Sequence, residues 1–102
     1  MPVKVIALVT INDDQPRALA AYLEATLPLL EAVGGSITQR FTVQGQVVGS
    51  MPARSVMIID YPSYEAVQEL FESEAYQNII PTRNLAFKDY TVSVVSMETT
   101  VI

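Results

Sequence analysis

Residues 3–11 read VKVIALVTI and residues 54–61 read RSVMIIDY, and these two stretches decide the predicted fold. Both alternate between two apolar faces, as Val5 and Ile6 show in the first stretch. A strand with two apolar faces is typical of a position that is covered on both sides. The sequence therefore predicts that both stretches are central strands of one sheet.

The segment between these strands predicts a helix and an edge strand. An Asp N-cap with Pro16 in the first turn predicts the start of a helix over residues 17–33, which Gly34 ends. Residues 36–48 predict a strand with a break at Gly45. One face of that strand is polar, with Thr38, Arg40 and Thr42, and the other carries Ile37, Phe41 and Val43, a pattern that favours the sheet edge.

The second half of the chain predicts a broken helix and a last strand. Pro62 stops the preceding strand, and Ser63 is the expected N-cap of the next helix. A second cap at Ser73 starts another helical segment, whose apolar face includes Phe87. Residues 90–97 predict an edge strand, and we expect the tail at 98–102 to contact a partner subunit.

The resulting order is β-α-β-β-α-β, which predicts a ferredoxin-like α+β fold in a single domain over residues 1–102. Its sheet is antiparallel, helices cover one face, and the first and third strands are central. This matches the two strands that are apolar on both faces. Because helices cover one face alone, the other apolar face is predicted to lie against a partner.

Composition excludes several classes of function. The chain has a net charge of −5, which argues against binding nucleic acid or an anionic membrane surface. It contains no cysteine and no histidine, so thiolate chemistry, imidazole bases and the commonest zinc ligand are excluded. We expect no metal, no cofactor, no signal peptide and no transmembrane helix, and a cytoplasmic location. Half of the residues are hydrophobic, which favours a subunit interface.

Three stretches resemble a known family: GGSITQR at 34–40, ARSVMIIDYPSYEAV at 53–67, and SEAYQ at 73–77 with Arg83 after it. They are similar to the family called domain of unknown function 1330, which belongs to the dimeric α+β barrel superfamily. The resemblance implies that two copies of the chain pack sheet against sheet, so the expected partner is the protein itself. Tyr61 and Leu70 depart from the family pattern, which usually has Phe and another aromatic residue there.

Four residues are predicted to bind a ligand: Arg40, Asp60, Tyr64 and Arg83. Arg40 either stays solvated at the sheet edge or points into a cleft between sheet and helices, where its guanidinium could hold an anion. Arg83 falls on an apolar helix face, so it needs a carboxylate or must reach water, and an anionic ligand is the alternative partner. Asp60 is the expected internal partner of Arg83, and Asp60 with Tyr61 and Tyr64 is the alternative acid/base site.

The sequence favours a homodimer that binds a small anionic or carbonyl-bearing molecule in the cleft. Two alternatives stay open at this point: a cofactor-independent enzyme of the monooxygenase or isomerase kind, which the superfamily resemblance suggests, and a structural or regulatory subunit. An empty cleft that meets an ionisable group would favour binding or catalysis. Arginines that are neutralised by protein carboxylates would favour a structural role.

Overall fold

The computed structural model describes residues 1–96 and contains one four-stranded sheet and three helices. The strands are β1 (Val3–Ile11), β2 (Ser36–Thr42), β3 (Ser55–Tyr61) and β4 (Phe87–Val95), and the helices are α1 (Pro16–Ala32), α2 (Tyr64–Glu72) and α3 (Glu74–Ala86).

The sheet has the order β2-β3-β1-β4, and every neighbouring pair is antiparallel. The two strands with two apolar faces, β1 and β3, are therefore central, and β2 and β4 are the edges, as predicted. The second helix is broken in two, because α2 ends at Glu72 and α3 begins at Glu74. The ferredoxin-like α+β prediction is confirmed.

The helices lie on one face of the sheet, which we call the covered face. Val5, Ala7 and Val9 of β1 point to this face and join the buried core together with residues of all three helices. The opposite, open face carries the other residues of the central strands. Ile6 pairs with Ile58 there, and Leu8 pairs with Val56, and none of these four side chains belongs to the buried core.

The helix starts agree with the sequence at two positions and disagree at one. The Ser63 and Ser73 hydroxyls accept hydrogen bonds of 3.1 Å from the amides of Ala66 and Tyr76, as expected of N-caps. The Asp N-cap predicted for α1 is wrong, because Gln15 holds that position without a capping side-chain bond. The neighbouring Asp residues lie in a turn in which Asn12 accepts from the Asp14 amide.

Two strands differ in length from their predictions. β2 ends at Thr42 rather than at residue 48, and the loop that follows it exposes Val47 and Val48. β4 begins at Phe87, which was predicted to be helical, because α3 passes directly into extended backbone there. The predicted contact of residues 98–102 with a partner lies outside the described residues.

An irregularity in β2 changes which of its residues share a face. Ile37 pairs with Ile59, whereas Arg40 pairs with Met57, and the register shifts between Ile37 and Gln39. Ile59 and Met57 pack against the core, so Ile37 and Arg40 lie on the same, covered face. The prediction that Ile37 shares a face with Phe41 is therefore wrong. Arg40 still lies opposite Phe41, as predicted.

Candidate functional site

A cavity of about 300 Å³ lies between α1, α2, α3 and the covered face of the sheet. Its walls are mostly aliphatic and aromatic, with side chains such as Leu19, Leu30 and Met57. Its size is at the lower end of the range for small-molecule sites, and sites of that kind are apolar with a few placed polar groups.

The cavity has an exposed end and a buried end. Leu23, Leu27 and Arg40 line it and are themselves exposed, so they mark the entrance. Tyr22 and Tyr76 line it as well and are only 4% and 1% exposed, so they mark the interior. A ligand that enters beside the arginine would therefore reach tyrosine hydroxyls at the far end.

The hydroxyls of Tyr76, Tyr22 and Tyr90 form a hydrogen-bonded chain at this buried end, which we call the tyrosine chain. The Tyr22 oxygen lies 2.9 Å from the Tyr76 oxygen and 2.7 Å from the Tyr90 oxygen. Each hydroxyl has one proton, and the two bonds use two of the three protons. These two bonds leave one hydroxyl proton unused, and all three residues line the cavity.

Arg83 contacts two members of the tyrosine chain. Its Nη1 donates to the Tyr76 oxygen at 3.2 Å, and its Cζ lies 5.1 Å from the centre of the Tyr90 ring. Such cation–π contacts stabilise a guanidinium that is partly removed from water. Within residues 1–96, the Nε atom of Arg83 is buried without a hydrogen-bond partner.

Burial favours the neutral form of two tyrosines of the chain. It raises the pKa of Tyr22 and of Tyr90, and the neighbouring tyrosines raise the pKa of Tyr22 further. Burial lowers the pKa of Arg83, but the hydrogen bond to Tyr76 and nearby tyrosines outweigh it, so the net direction is upward. At neutral pH the site therefore offers neutral hydroxyl donors next to a guanidinium that stays charged.

Tyr61 adds a further hydroxyl to the cavity wall. It is 3% exposed, and within the described residues its side chain makes no hydrogen bond. Burial, with a smaller contribution from Tyr76, raises its pKa to about 12. The Tyr61 side chain lines the cavity, so its hydroxyl is a second group that a bound molecule could contact.

The four predicted ligand-binding residues do not come together. Arg40 lines the entrance of the cavity, and Arg83 lies behind Tyr76. Asp60 and Tyr64 are absent from the cavity wall, since Asp60 lies on the open face beside Lys4 and Tyr64 is exposed at the start of α2. The ligand-binding roles of these residues stay predictions.

The predicted ion pair between Arg83 and Asp60 is wrong. Asp60 accepts from the Lys4 ammonium at 2.7 Å, and both side chains are largely solvent-exposed. Alternation along β3 points Asp60 to the open face and its neighbour Tyr61 to the covered face. For the same reason Asp60, Tyr61 and Tyr64 cannot form one acid/base site.

Sequence reasoning missed the tyrosine chain. Tyr22 and Tyr76 are 54 residues apart in the chain, and Tyr22 and Tyr90 are 68 apart, so no local motif links them. One signal was available: the apolar helix faces and the last strand each contained a tyrosine. Hydroxyls at positions that face a common core have to find partners, and other tyrosines can serve.

The described residues offer little for other chemistries. No carboxylate lines the cavity among residues 1–96. Over the same span, acidic side chains do not gather in a group of three that could hold a metal ion. Helices of the described segment are all too short or too polar to cross a membrane.

Residues 3–97 match the family described as "Domain of unknown function (DUF1330)". The chain belongs to this family. The match covers nearly the whole chain and agrees with the motifs from Gly34 to Arg83. Among proteins with curated descriptions, none matches the chain.

Solved structures with the same fold come from several organisms. A protein of unknown function from Rhodopseudomonas palustris is 22% identical, with a TM-score of 0.79 over 97% of this chain and 84% of its own. A protein from Mycobacterium tuberculosis is 23% identical, with a TM-score of 0.64 over the full length of both chains. A Bacteroides thetaiotaomicron protein of unknown function, named "Possible Oxidoreductase", is 12% identical, with a TM-score of 0.61 over 92% of this chain and 95% of its own. These likenesses show the fold.

Proposed function

We propose that this protein binds a small, largely apolar molecule with a carbonyl or anionic oxygen in the cavity between the helices and the sheet. The observation that carries the proposal is the tyrosine chain, which has one undonated proton at the buried end of an apolar cavity. Apolar walls bury the body of the ligand, and the hydroxyl satisfies its oxygen. Arg40 at the entrance suits a ligand with a second, negatively charged group.

The proposed binding unit is a homodimer. Ile6, Leu8, Val56 and Ile58 form an apolar strip along the open face, which no helix of the described chain covers. Such a strip favours association, because burying it removes apolar surface from water. The family membership supports the same partner, since sheet-to-sheet pairing would cover this strip on both copies.

A second candidate function is cofactor-independent catalysis of the monooxygenase or isomerase kind. The name of the Bacteroides thetaiotaomicron neighbour supports an oxidoreductase. A hydroxyl donor next to a cation can stabilise an enolate oxygen, which such reactions form. Binding ranks ahead of catalysis, because no carboxylate lines the cavity among residues 1–96 and burial raises the pKa of Tyr22, Tyr61 and Tyr90, which makes them poor general bases at neutral pH. A structural or regulatory subunit is the outcome if no ligand binds.

Thermal shift measurements with three aromatic probes test the proposal. Acetophenone has a carbonyl, 4-nitrophenol a hydroxyl and toluene no oxygen, so we expect the first two to raise the Tm more than toluene does. Leu27→Trp should block the entrance and remove this effect. Ala25→Trp is the matched control, because Ala25 is exposed on the same helix away from the cavity wall.

Two results would contradict the proposal. The first is that no probe raises the Tm of the wild-type protein. The second is that Leu27→Trp leaves the probe effects unchanged while both variants stay folded, since the probes would then bind elsewhere.

A further inference from the structure

The position of Arg83 gives the tyrosine chain a direction. Arg83 donates to the Tyr76 oxygen, and a hydroxyl whose oxygen accepts from a cation becomes a better donor. The favoured order of donation is therefore Arg83 to Tyr76, Tyr76 to Tyr22, and Tyr22 to Tyr90. In this order the undonated proton belongs to Tyr90, which lines the cavity.

The charge of Arg83 is not neutralised by the described part of the chain. Within residues 1–96, the ion pair between Lys4 and Asp60 does not involve Arg83, and no carboxylate pairs with Arg83. The guanidinium also lies over the Tyr90 ring, at 5.1 Å from its centre to Cζ. A positive charge therefore acts on the buried end of an apolar cavity, where electrostatic interactions are stronger than in water.

The number of donors separates two classes of anion. A carboxylate has two oxygens and about four acceptor positions, whereas the tyrosine chain leaves one proton. A phenolate or an enolate concentrates its charge on a single oxygen. At the tyrosine chain, one donor with a cation next to it therefore suits a single-oxygen anion, and the Tyr61 hydroxyl is a separate donor on the cavity wall.

We infer that the cavity selects an acidic phenol or enol, which releases its proton to solvent and is held as its anion, with the ligand oxygen accepting from Tyr90 and Arg83 acting through the tyrosine chain. This inference rests on the proposed function, because it names the chemical class that the same cavity takes. Arg83 is a positioning residue in this account, since it orients and polarises the tyrosine hydroxyls without touching the ligand.

Absorbance titration of three matched probes tests the inference. 4-Nitrophenol can ionise, 4-nitroanisole has the same shape but no acidic proton, and 4-nitrobenzoate is the corresponding carboxylate. Phenol and phenolate forms of 4-nitrophenol absorb differently, so the pKa of the bound probe can be measured directly. We expect the bound pKa to fall by about one unit, which corresponds to about tenfold tighter binding of the phenolate than of the phenol.

Substitutions assign this shift to the proposed residues. Arg83→Met and Tyr90→Phe should each abolish the fall in the bound pKa while 4-nitroanisole still binds. Arg17→Met is the matched control for the lost charge, because Arg17 is exposed away from the cavity wall. If Arg83→Met fails to fold by circular dichroism, Arg83→Lys keeps the charge without the planar fork and should give a smaller shift.

The following results would contradict the inference, the role of Arg83 or the proposed function. If the wild-type protein binds the probes but the bound pKa is unchanged or raised, the inference is overturned and the proposed function stands. Tighter binding of 4-nitrobenzoate than of 4-nitrophenolate also overturns it. If the pKa of bound 4-nitrophenol still falls in Arg83→Met, Arg83 does not cause the shift. If none of the three probes binds, both the inference and the proposed function are overturned.

Discussion

The two faces of the sheet differ in their polar groups and in what covers them, although the same strands form both. On the covered face, Val5 lies in a core that also contains hydroxyls, and those hydroxyls bond to each other at 2.7–2.9 Å. On the open face, Ile6 and Leu8 are apolar, and the charges of Lys4 and Asp60 stand at one end in solvent. The comparison teaches that the covered face combines apolar and hydroxyl groups, whereas the open face, which we propose as the partner surface, is apolar at its centre.

The largest contrast should come from one charge placed on either face. Val5→Asp puts a carboxylate at a position with 0% exposure, which should cost more than about 4 kcal/mol and unfold the subunit. Ile6→Asp, one residue along, should leave a folded subunit that no longer dimerises. Circular dichroism and sedimentation distinguish the two outcomes. A wild-type protein that sediments as a soluble monomer at low micromolar concentration would contradict the dimer.

A smaller effect should come from the centre of the tyrosine chain. Tyr22→Phe removes the hydroxyl that bonds to both Tyr76 and Tyr90, and it should destabilise the fold by about 1–3 kcal/mol. Tyr64→Phe removes an exposed hydroxyl and should change stability by less than about 0.5 kcal/mol. Urea denaturation measures both changes. Equal effects of the two variants would show that the chain does not stabilise the covered face.

The raised tyrosine pKa values predict a pH range in which the free energy of unfolding decreases as the pH rises. Below pH 10, Tyr61 is protonated in the folded and unfolded chain, so it contributes no pH dependence. Between pH 10 and 12 the unfolded chain loses this proton while the folded chain keeps it, so stability falls as the pH rises. Tyr61→Phe should reduce the slope of stability against pH in this window and leave stability at pH 7 nearly unchanged. An unaltered slope would contradict burial as the cause.

The smallest expected effect is the coupling between the two faces. Arg83 contacts Tyr76 behind the covered face, and Asp60 pairs with Lys4 on the open face, so the two residues share no partner. The destabilisation by Arg83→Met and by Asp60→Leu should therefore add within about 0.5 kcal/mol in the double variant. Asp60→Leu alone should cost less than about 1 kcal/mol, because its ion pair is exposed. If the double variant loses less stability than the sum of the two single losses, the result would support the predicted ion pair between Arg83 and Asp60.

Much of the fold could be predicted because it depends on local patterns. Apolar alternation on β1 and β3 identified the central strands, and Ser63 and Ser73 identified two helix starts. The bulge in β2 could not be predicted in this way, because the shift is visible only against β3. It moved Ile37 to the face of Arg40.

The candidate site was harder to predict because its contacts are distant in sequence. Arg83 was singled out correctly as an arginine on an apolar helix face that needs a partner. Its partner was predicted as a carboxylate, since charge pairing is the usual solution, but a tyrosine hydroxyl and an aromatic ring serve instead. Alternation along β3 already placed Asp60 and Tyr61 on opposite faces, so the sequence contained the argument against their joint site.

A crystal structure of the protein with 4-nitrophenol would test the central claim most directly. The account predicts the probe in the cavity, with its phenolic oxygen within hydrogen-bond distance of the Tyr90 hydroxyl and its nitro group toward Arg40 at the entrance. A probe whose oxygen pairs with Arg40 while the tyrosine chain stays uncontacted, or a probe bound on the open face, would contradict it.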